Sequence, residues 1–441
     1  MLLLLAACGG ATVEDPTTDR HVDTDRTGTD SLSPTTHSAS TADTAPPPPP
    51  PPPPDLCYAE IGVPGTIEGA AVDAHAEIYG AAARPELVRL GWPGTDVSRS
   101  VSFLWKTDTT TLASQVELTE VGGDTRVIDG ASFLYGSDGA QRVHEVKLCL
   151  GVEPGTTYEY RVGGRGGWSP MHRFTTPAPP DQLSTVRVAF GGDSRGSYAQ
   201  WGLLVQTAAT WNPDLFVFTG DAVDSGTSQA QWDAWLEAGA SLFDHVPLIA
   251  AHGNHEGQAV HWFAQVSYPN DELSWPIRYG PLQLVFLNDT TTDADLDLQA
   301  TFIDEVFGSS DALWKVAVHH QSPYSTCDRH GSNLRVRERW TPRYEAGGVD
   351  LVLCGHNHIY ERSLPVLAEA VAEPGPGVTY VVTGGAGAPL YTSFTPEWFS
   401  NVVQTKKHFG IADFGPDRVD VQVFDGPGNL IDAFSLPADR P

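Results

Sequence analysis

The sequence has 441 residues, 40% of them hydrophobic, and a formal net charge of −29 from 26 basic and 55 acidic side chains. A chain of this length is expected to form roughly two or three domains. The acidic surplus argues against nucleic acid or an anionic lipid surface as a partner bound through a general basic field. It does not exclude a small anionic substrate held by metal ions, because a local cation dominates its own site.

The first residues resemble the end of a bacterial lipoprotein signal. Leu5-Ala6-Ala7-Cys8 corresponds to a lipobox, which would make Cys8 the lipidated first residue of an exported protein. The apolar run is short and no basic residue precedes it, so the true start is expected upstream. We predict a signal at residues 1–8 and a lipid anchor in the bacterial cell envelope, at the outer membrane or surface, or else secretion. A disordered apolar terminus is the alternative.

Residues 9–56 are rich in Thr, Asp, Ser and Pro and are predicted to be a disordered tether. The tether ends in nine prolines, Pro46 to Pro54, which favour a stiff polyproline II spacer. Beyond Cys8 the chain has four cysteines, which can pair in three ways. Their positions favour a disulfide between Cys57 and Cys149 in an oxidising compartment.

Residues 57–178 show short β-type runs separated by Gly and Pro, such as Val101–Trp105 and Val143–Leu150. This pattern predicts a small all-β sandwich without catalytic residues, followed by a linker at Pro177–Pro180. The segments Val152–Val162 and Phe174–Pro177 resemble the end of a fibronectin type III-like domain.

From residue 182 to residue 441, strand-like runs alternate with stretches of helix length, and five of these runs end in polar groups. The endings are Gly192-Asp193, Gly220-Asp221, Gly253-Asn254-His255-Glu256, His319-His320 and Gly355-His356-Asn357-His358. Parallel strands would bring these ends to one sheet edge, where α/β proteins bind ligands. Oxygen and imidazole ligands without thiolate suit divalent ions such as Mn, Fe or Zn. Separate turns and core histidines are the alternative, but such crowded polar groups need cations as partners.

The five endings look like the five motifs of calcineurin-like metallophosphoesterases. A fibronectin type III-like domain precedes the catalytic domain in purple acid phosphatases, so the chain most resembles that branch. The resemblance implies an α/β fold, the metallophosphoesterase αββα sandwich, for residues 182–441. It also implies two metal ions, of the Fe, Mn or Zn type, and a small phosphate-ester substrate.

The resemblance also implies a role for each motif residue. Asp221 would bridge the two metals and Asp193 and His358 would hold the first. Asn254, His356 and a histidine of the fourth motif would hold the second; we favour His319 over His320, because it directly follows the strand. His255 would face the substrate and protonate the leaving oxygen or stabilise phosphoryl charge. His330 is the candidate for a second substrate-facing histidine, with a plain surface histidine as the alternative.

Two residues depart from the family pattern. Asp224 stands where purple enzymes have a tyrosine, and Arg195 stands where other members have a metal-binding histidine. Asp224 is expected to bind the first metal directly or through water; alternatively it pairs with Arg195 and leaves that metal weakly held. Arg195 is also a candidate to contact the substrate phosphate. Without the tyrosine, the protein is expected to be colourless.

These observations predict an exported, dinuclear metal-dependent phosphoesterase that hydrolyses phosphate monoesters by attack of a metal-bound hydroxide. A phosphodiesterase or nucleotidase using the same site is one alternative. The other is a surface-binding lipoprotein with weakened catalysis. No nucleic acid partner is expected, and the membrane is expected to be contacted only through the lipid.

Overall fold

The structure, a computed structural model, describes residues 72–136, 141–257, 259–373 and 375–438. The predicted signal and tether and Cys57 lie outside these ranges. Within them, no helix is both long and apolar enough to cross a bilayer. Cys149 is disulfide-bonded, whereas Cys327 and Cys354 are free and buried.

The first described part of the chain contains only strands as regular structure. These are β1 (Val72–Ala74), β2 (Glu86–Gly91), β3 (Ser100–Thr107), β4 (Gln115–Glu120), β5 (Thr125–Asp129), β6 (Ala131–Tyr135), β7 (Gln141–Cys149), β8 (Thr157–Gly164), β9 (Gly167–Trp168) and β10 (His172–Thr175). They form two antiparallel sheets, in the orders β1-β6-β7-β3-β2 and β10-β8-β4-β5, with β9 paired to β8.

The two sheets stack because side chains alternate along each strand. In β8, Tyr158, Tyr160 and Val162 point inward and join a single hydrophobic core with Phe103 and Trp105 of β3. Such alternation is expected of a strand that packs on one face. The prediction of an all-β region ahead of the α/β part is therefore confirmed.

The second part of the chain combines strands and helices. Its strands are β11 (Val186–Gly191), β12 (Leu215–Phe218), β13 (Leu248–Ala250), β14 (Trp275–Tyr279), β15 (Leu282–Phe286), β16 (Trp314–Gln321), β17 (Leu351–Gly355), β18 (Tyr360–Ser363), β19 (Val366–Leu367), β20 (Ala370–Val371), β21 (Thr379–Thr383), β22 (Ser400–Gln404), β23 (His408–Phe414), β24 (Arg418–Asp425) and β25 (Leu430–Pro437). Its helices are α1 (Tyr198–Ala209), α2 (Gln229–Phe243), α3 (Val260–Gln265), α4 (Asp293–Ser309) and α5 (Leu334–Gly347).

Most of these strands form two mixed sheets, in the orders β13-β12-β11-β23-β24-β25 and β14-β15-β16-β17-β21-β18-β22. In the first sheet β11, β12 and β13 are parallel. In the second, β15, β16, β17 and β21 are parallel. The parallel strands are almost wholly buried, which explains their continuous apolar runs in the sequence.

Helices cover the outer face of each sheet. Trp201 of α1 and Trp235 of α2 pack on Phe218 of β12, and α4 and α5 share a core with the outer face of the second sheet. The inner faces of both sheets meet in one large core. The layers thus follow the order helix, sheet, sheet, helix, and the predicted αββα sandwich is confirmed.

Local sequence signals fix where the helices of the second sheet begin. The side chain of Thr292 accepts a hydrogen bond from the backbone of Asp295 at the start of α4. Asn333 caps α5 in the same way through Val336, and Gly348 ends that helix in the left-handed conformation. Both patterns satisfy backbone groups that a helix end leaves without partners.

Candidate metal centre

Polar side chains from five strand ends meet between the two sheets of the α/β part. The ends of β11, β12 and β13 supply Asp193, Asp221 and Asn254, all from the first sheet. The ends of β16 and β17 supply histidines from the second sheet. The expectation of one shared sheet edge is therefore corrected: two parallel segments face each other, and the site lies where their carboxyl ends converge.

One group of candidate ligands consists of Asp193, Asp221 and His358, whose ligand atoms lie within 4.8 Å of one another. All three residues are buried. The Nδ1 of His358 lies 2.7 Å from the carbonyl oxygen of Pro389 and must donate its proton there. His358 Nε2 therefore keeps its lone pair, as a metal ligand requires, and lies 3.5 Å from Asp193 Oδ1.

The second group consists of Asp221, His320 and His356, again with ligand atoms within 4.8 Å. His320 donates from Nδ1 to the carbonyl oxygen of Thr219 at 2.8 Å. Its Nε2 lies 3.3 Å from Asp221 Oδ1 and 3.0 Å from Asn254 Oδ1. Asp221 belongs to both groups, so it has the position that the sequence predicted for a bridging carboxylate.

The preference for His319 as a ligand is corrected by the structure. His319 points away from the other candidates and is hydrogen-bonded through Nδ1 to Asp289 at 2.9 Å, with its ring against Trp340 and Tyr344 of α5. Side chains alternate along β16, so His320 shares the inner face with Val318 and His319 shares the outer face with Ala317. The pleat of the strand was the signal that could have identified His320.

The turns that carry these ligands are strained. Asp193, Asp221 and His356 have φ values of 58°, 59° and 67°, in the left-handed region that residues with a side chain rarely adopt. Gly253 permits a close approach, since a Cβ there would lie 2.3 Å from the backbone nitrogen of Asp221 and 2.4 Å from its Oδ1. Strain of this kind is typical of functional sites, and the surrounding hydrogen bonds must hold it.

Glu256 supplies several of those hydrogen bonds. Its fully buried carboxylate accepts from the backbone of Asp221 at 3.0 Å, Ala222 at 2.7 Å and Gly253 at 2.7 Å. Burial, reinforced by the negative charge of Asp221, raises the pKa of Glu256 to about 7. Glu256 thus fixes the turns after β12 and β13 to each other.

The electrostatics of the site favour a bound cation. The imidazoles of His320 and His255 outweigh burial and hold the pKa of Asp221 below its ordinary value. Burial opposes a charge on His320, but the carboxylate of Asp221 raises its pKa well above the ordinary value. The field that favours a proton on His320 also favours a metal ion. Asp193 Oδ1 is buried and has no hydrogen-bond partner among the residues that the structure describes. The residues present therefore fit a dinuclear metal centre.

Asp224 and Arg195, the two departures from the family pattern, pair with each other. Arg195 Nη1 lies 2.9 Å from Asp224 Oδ1, and Arg195 Nε lies 3.4 Å from Asp221 Oδ2. The side chain of Asp224 is 58% exposed and lies outside both groups of candidate ligands. Of the two predicted arrangements, direct ligation by Asp224 is therefore corrected and the ion pair with Arg195 is what the structure contains.

His255 lies at the open side of the centre, where the sequence predicted a substrate-facing group. Its Nδ1 is 2.8 Å from the carbonyl oxygen of Asp224, and its Nε2 is 3.8 Å from Asp221 Oδ2. The backbone N–H of His255 donates to Asp221 Oδ1 at 2.9 Å. The ring is thus fixed on one side and presents Nε2 to the space above Asp221.

His330 also reaches the centre. Its ring centroid is 4.1 Å from that of His356, and its Nε2 is 3.3 Å from the hydroxyl of Tyr391. Burial and the charge of Arg329 lower the pKa of His330. The loop that carries it is tied to the β17–β18 turn, because Asn357 donates to Ser325 Oγ and to the carbonyl of Gly331.

Tyr391 was missed by the sequence reasoning. Its ring stacks on His358, with centroids 4.2 Å apart and planes inclined by 15°, and it closes the centre between His358 and His330. It comes from the long segment between β21 and β22, far from any motif. Only the fold brings it to the centre, and no local pattern marked it.

Comparisons with known proteins agree with this geometry. Residues 186–360 match the calcineurin-like phosphoesterase family, and residues 85–176 match the purple acid phosphatase N-terminal domain. Purple acid phosphatase 21 of Arabidopsis thaliana is 24% identical over 329 residues, which cover 69% of this chain and 71% of that protein. Acid phosphatase type 7 of Danio rerio is 25% identical over 357 residues, which cover 69% of this chain and 79% of that protein.

Two solved structures share the fold. Purple acid phosphatase PPD1 from yellow lupin seeds superimposes with a TM-score of 0.72 at 20% identity, covering 80% of this chain and 74% of that one. The structure of PhoD gives a TM-score of 0.57 at 14% identity, covering 86% of this chain and 94% of that one. These likenesses confirm the predicted metallophosphoesterase fold. The predicted dinuclear metal site is confirmed by the family match and by the two groups of candidate ligands.

Proposed function

The chain contains a calcineurin-like phosphoesterase domain preceded by a purple acid phosphatase N-terminal domain, and we propose that it is an exported hydrolase of phosphate monoesters. The phosphoesterase family match, two relatives named as phosphatases and ligand groups that suit two metal ions make it a phosphoric ester hydrolase. We propose three further points: that the enzyme prefers monoesters, that single residues have the roles given below, and that the protein is exported.

The observation that carries the proposal is the position of His255 beside the shared ligand Asp221. Its Nδ1 proton is used by the carbonyl oxygen of Asp224, 2.8 Å away, so the proton available for transfer is the one on Nε2. That nitrogen faces the space above Asp221 Oδ2 at 3.8 Å. A positioned imidazole of this kind can donate a proton to a leaving oxygen.

Asp193, Asp221 and His358 would hold one metal ion, and Asp221, Asn254, His320 and His356 the other. Two bound metal ions supply charge neutralisation of the phosphate and activation of water at neutral pH. Around them, His255 would protonate the departing alkoxide, while His330 and Tyr391 shield one side of the centre from bulk water. Arg195 adds a guanidinium, which suits phosphate oxygens better than a point charge does.

The cationic and donor groups favour a monoester over a diester. A phosphate monoester carries up to two negative charges, whereas a diester carries one. Arg195, His255 and His330 all lie within the same centre and add donors to the charge of two metal ions. Charge-assisted hydrogen bonds to the additional charge stabilise the bound monoester.

Export is supported by sequence and by one covalent bond. The lipobox that ends at Cys8 would attach the protein to the cell envelope through lipid, and the acidic tether would separate it from the membrane. Cys149 is disulfide-bonded, and disulfides persist mainly in oxidising compartments outside the cytosol. The membrane would be contacted only through the lipid.

Steady-state rates on a monoester and a diester with the same leaving group test the substrate preference. The proposal predicts a higher kcat/KM on the monoester, and a loss of about 10²–10⁴-fold in kcat for His255→Ala, the range typical of a lost general acid. His245→Ala is the matched control, because His245 is exposed, lies outside the candidate ligand groups and pairs with its neighbour Asp244. Unchanged turnover in His255→Ala, or a faster diester, would contradict the proposal.

A further inference from the structure

The guanidinium of Arg195 lies among the candidate ligands of the first metal. Its Nε is 3.4 Å from Asp221 Oδ2, and its Nη2 is 3.4 Å from His358 Nε2. Its Nη1 reaches outward to Asp224 Oδ1 at 2.9 Å. One end of this cation therefore occupies the position where a metal ion would bind, and the other end faces the mouth of the centre.

A metal ion and the guanidinium cannot use these ligand atoms at the same time. Because His358 donates from Nδ1 to Pro389, its only lone pair is on Nε2, the atom that faces Arg195. Asp221 Oδ2 is likewise turned toward Arg195. A divalent ion that binds here must displace the guanidinium, since two cations a few ångströms apart repel strongly in a buried site.

Asp224 is already paired with Nη1 of Arg195 and can retain the guanidinium after its displacement. The backbone N–H of Asp224 donates to Gln231 Oε1 at 2.8 Å, which holds the backbone of Asp224 at the mouth of the centre. The backbone of Arg195 is tied to the carbonyl of Asp221 at 3.3 Å, so only the side chain has to rotate. The ring of His255 lies on the same side, hydrogen-bonded to the carbonyl of Asp224.

We propose that Arg195 is a resident cation of the first metal site that the metal ion displaces toward Asp224, where the guanidinium binds a phosphate oxygen of the substrate. The proposal rests on the proposed function, since it requires two metal ions and a phosphate ligand. Under this proposal the first metal site, which Asp193, Asp221 and His358 form, binds its ion more weakly than the other site does. Metal binding there must break the contacts of Arg195 with Asp221 and His358. Asp224 then holds Arg195 through an ion pair and does not bind the metal ion.

Titration of metal-free protein with Mn²⁺, followed by electron paramagnetic resonance, tests the displacement. The wild-type chain is expected to bind one ion tightly and a second more weakly, with the signal of a coupled pair appearing only in the second phase. Arg195→Gln is expected to tighten the second phase by about tenfold or more, because a competing buried charge is removed. An unchanged or weaker second phase in Arg195→Gln would overturn the proposal.

Two further variants separate the effect of charge from the effect of substitution. Arg195→Lys keeps the positive charge and is expected to leave the second phase within about threefold of the wild type, because the repulsion persists. Arg329→Gln removes an exposed charge near Tyr391 and leaves the candidate ligands unaltered. Its affinity for the second metal ion is also expected to stay within about threefold of the wild type. If either variant bound the second metal ion as tightly as Arg195→Gln does, displacement of the guanidinium could not be the cause of the tighter binding.

The affinity for inorganic phosphate tests the second half of the proposal. Calorimetry on protein loaded with two equivalents of Mn²⁺ is expected to give at least about tenfold weaker phosphate binding for Arg195→Gln, the loss of a charge-assisted contact. The same variant thus binds metal more tightly and phosphate more weakly. Equal phosphate affinity in both proteins would overturn the phosphate role. Neither measurement involves turnover, so a failure here is distinct from a failure of the proposed hydrolysis.

Discussion

His319 and His320 are neighbours in the sequence, yet their side chains lie on opposite faces of β16. His320 faces Asp221 and Asn254 in the centre, and His319 faces α5 and the buried carboxylate of Asp289. Each uses Nδ1 for a hydrogen bond, but only His320 has its Nε2 directed at other candidate ligands. The two residues therefore form a natural pair for separating metal binding from structural packing.

Replacing each of these histidines by asparagine tests the assignment. The side-chain amide of asparagine can keep the hydrogen bond of Nδ1 but cannot replace Nε2. His320→Asn is expected to lose one bound metal ion and at least about 100-fold in kcat/KM, because a dinuclear site needs both ions. The measurements are metal content after gel filtration and steady-state kinetics.

His319→Asn is the matched control and is expected to retain two metal ions and most of the activity. Any loss there should appear in thermal stability, since the aromatic contacts with Trp340 and Tyr344 are reduced. Loss of a metal ion in His319→Asn with full occupancy in His320→Asn would reverse the assignment.

At the scale of secondary-structure elements, Asp289 holds the end of β16 in place. Asp289 follows β15 in the sequence and is buried. Its Oδ2 accepts hydrogen bonds from His319 Nδ1 and from the backbone N–H of Gln321, the residues on either side of His320. The pairing of β16 with β17 shifts register in this stretch, between Val318 and Gln321. Asp289 therefore fixes an irregular strand end and, with it, the direction of His320.

Removing the charge of Asp289 should weaken the metal centre without unfolding the chain. Asp289→Asn is expected to lower the affinity for the more tightly bound metal by about 10-fold to 100-fold, the usual effect of losing a residue that orients a ligand. Titration with Mn²⁺ measures it. Asp297→Asn is the control, because Asp297 of α4 forms an exposed ion pair with Arg339 of α5 and such pairs contribute little. Equal metal affinity in both variants would show that Asp289 has no positioning role.

At the scale of the whole molecule, the β-sandwich contacts the part of the chain that shapes the metal centre. Lys106 of β3 is ion-paired with Asp233 of α2 at 2.6 Å. Two residues earlier on α2, Gln231 accepts hydrogen bonds from the backbone of Asp224 and Ser225. The buried guanidinium of Arg89 donates to the carbonyl of Gln265 at 2.8 Å. The sandwich therefore supports the helix that holds the loop of Asp224, although none of its described residues belongs to the candidate ligand groups.

Much of this arrangement follows from the sequence because each metal motif comes directly after a buried strand. The apolar runs before Asp193, Asp221 and Asn254 predict strands, and the Gly residues predict the turns that aim these side chains. Asp221, for which the family resemblance implied the role of shared carboxylate, is the residue common to both ligand groups. The substrate-facing role of His255 stays a prediction until kinetics test it.

The other features of the site could not be predicted from the sequence, because they depend on contacts between distant segments. The pleat at the end of β16, and not the order of residues, distinguishes His320 from His319. The pairing of Arg195 with Asp224 was one of two alternatives, and only their 2.9 Å separation chose between them. Tyr391 and Asp289 belong to no motif, since each meets the centre or its ligands through folding alone.

Hydrolysis of a phosphate monoester as a function of added metal tests the central claim most directly. Metal-free protein is titrated with Mn²⁺, and initial rates are measured at each ratio of metal to protein once binding has reached equilibrium. We predict no measurable turnover without metal, and a rate that rises until two ions are bound per chain, as a dinuclear centre requires. Full activity in metal-free protein, or a rate that reaches its plateau with one bound ion, would contradict the account.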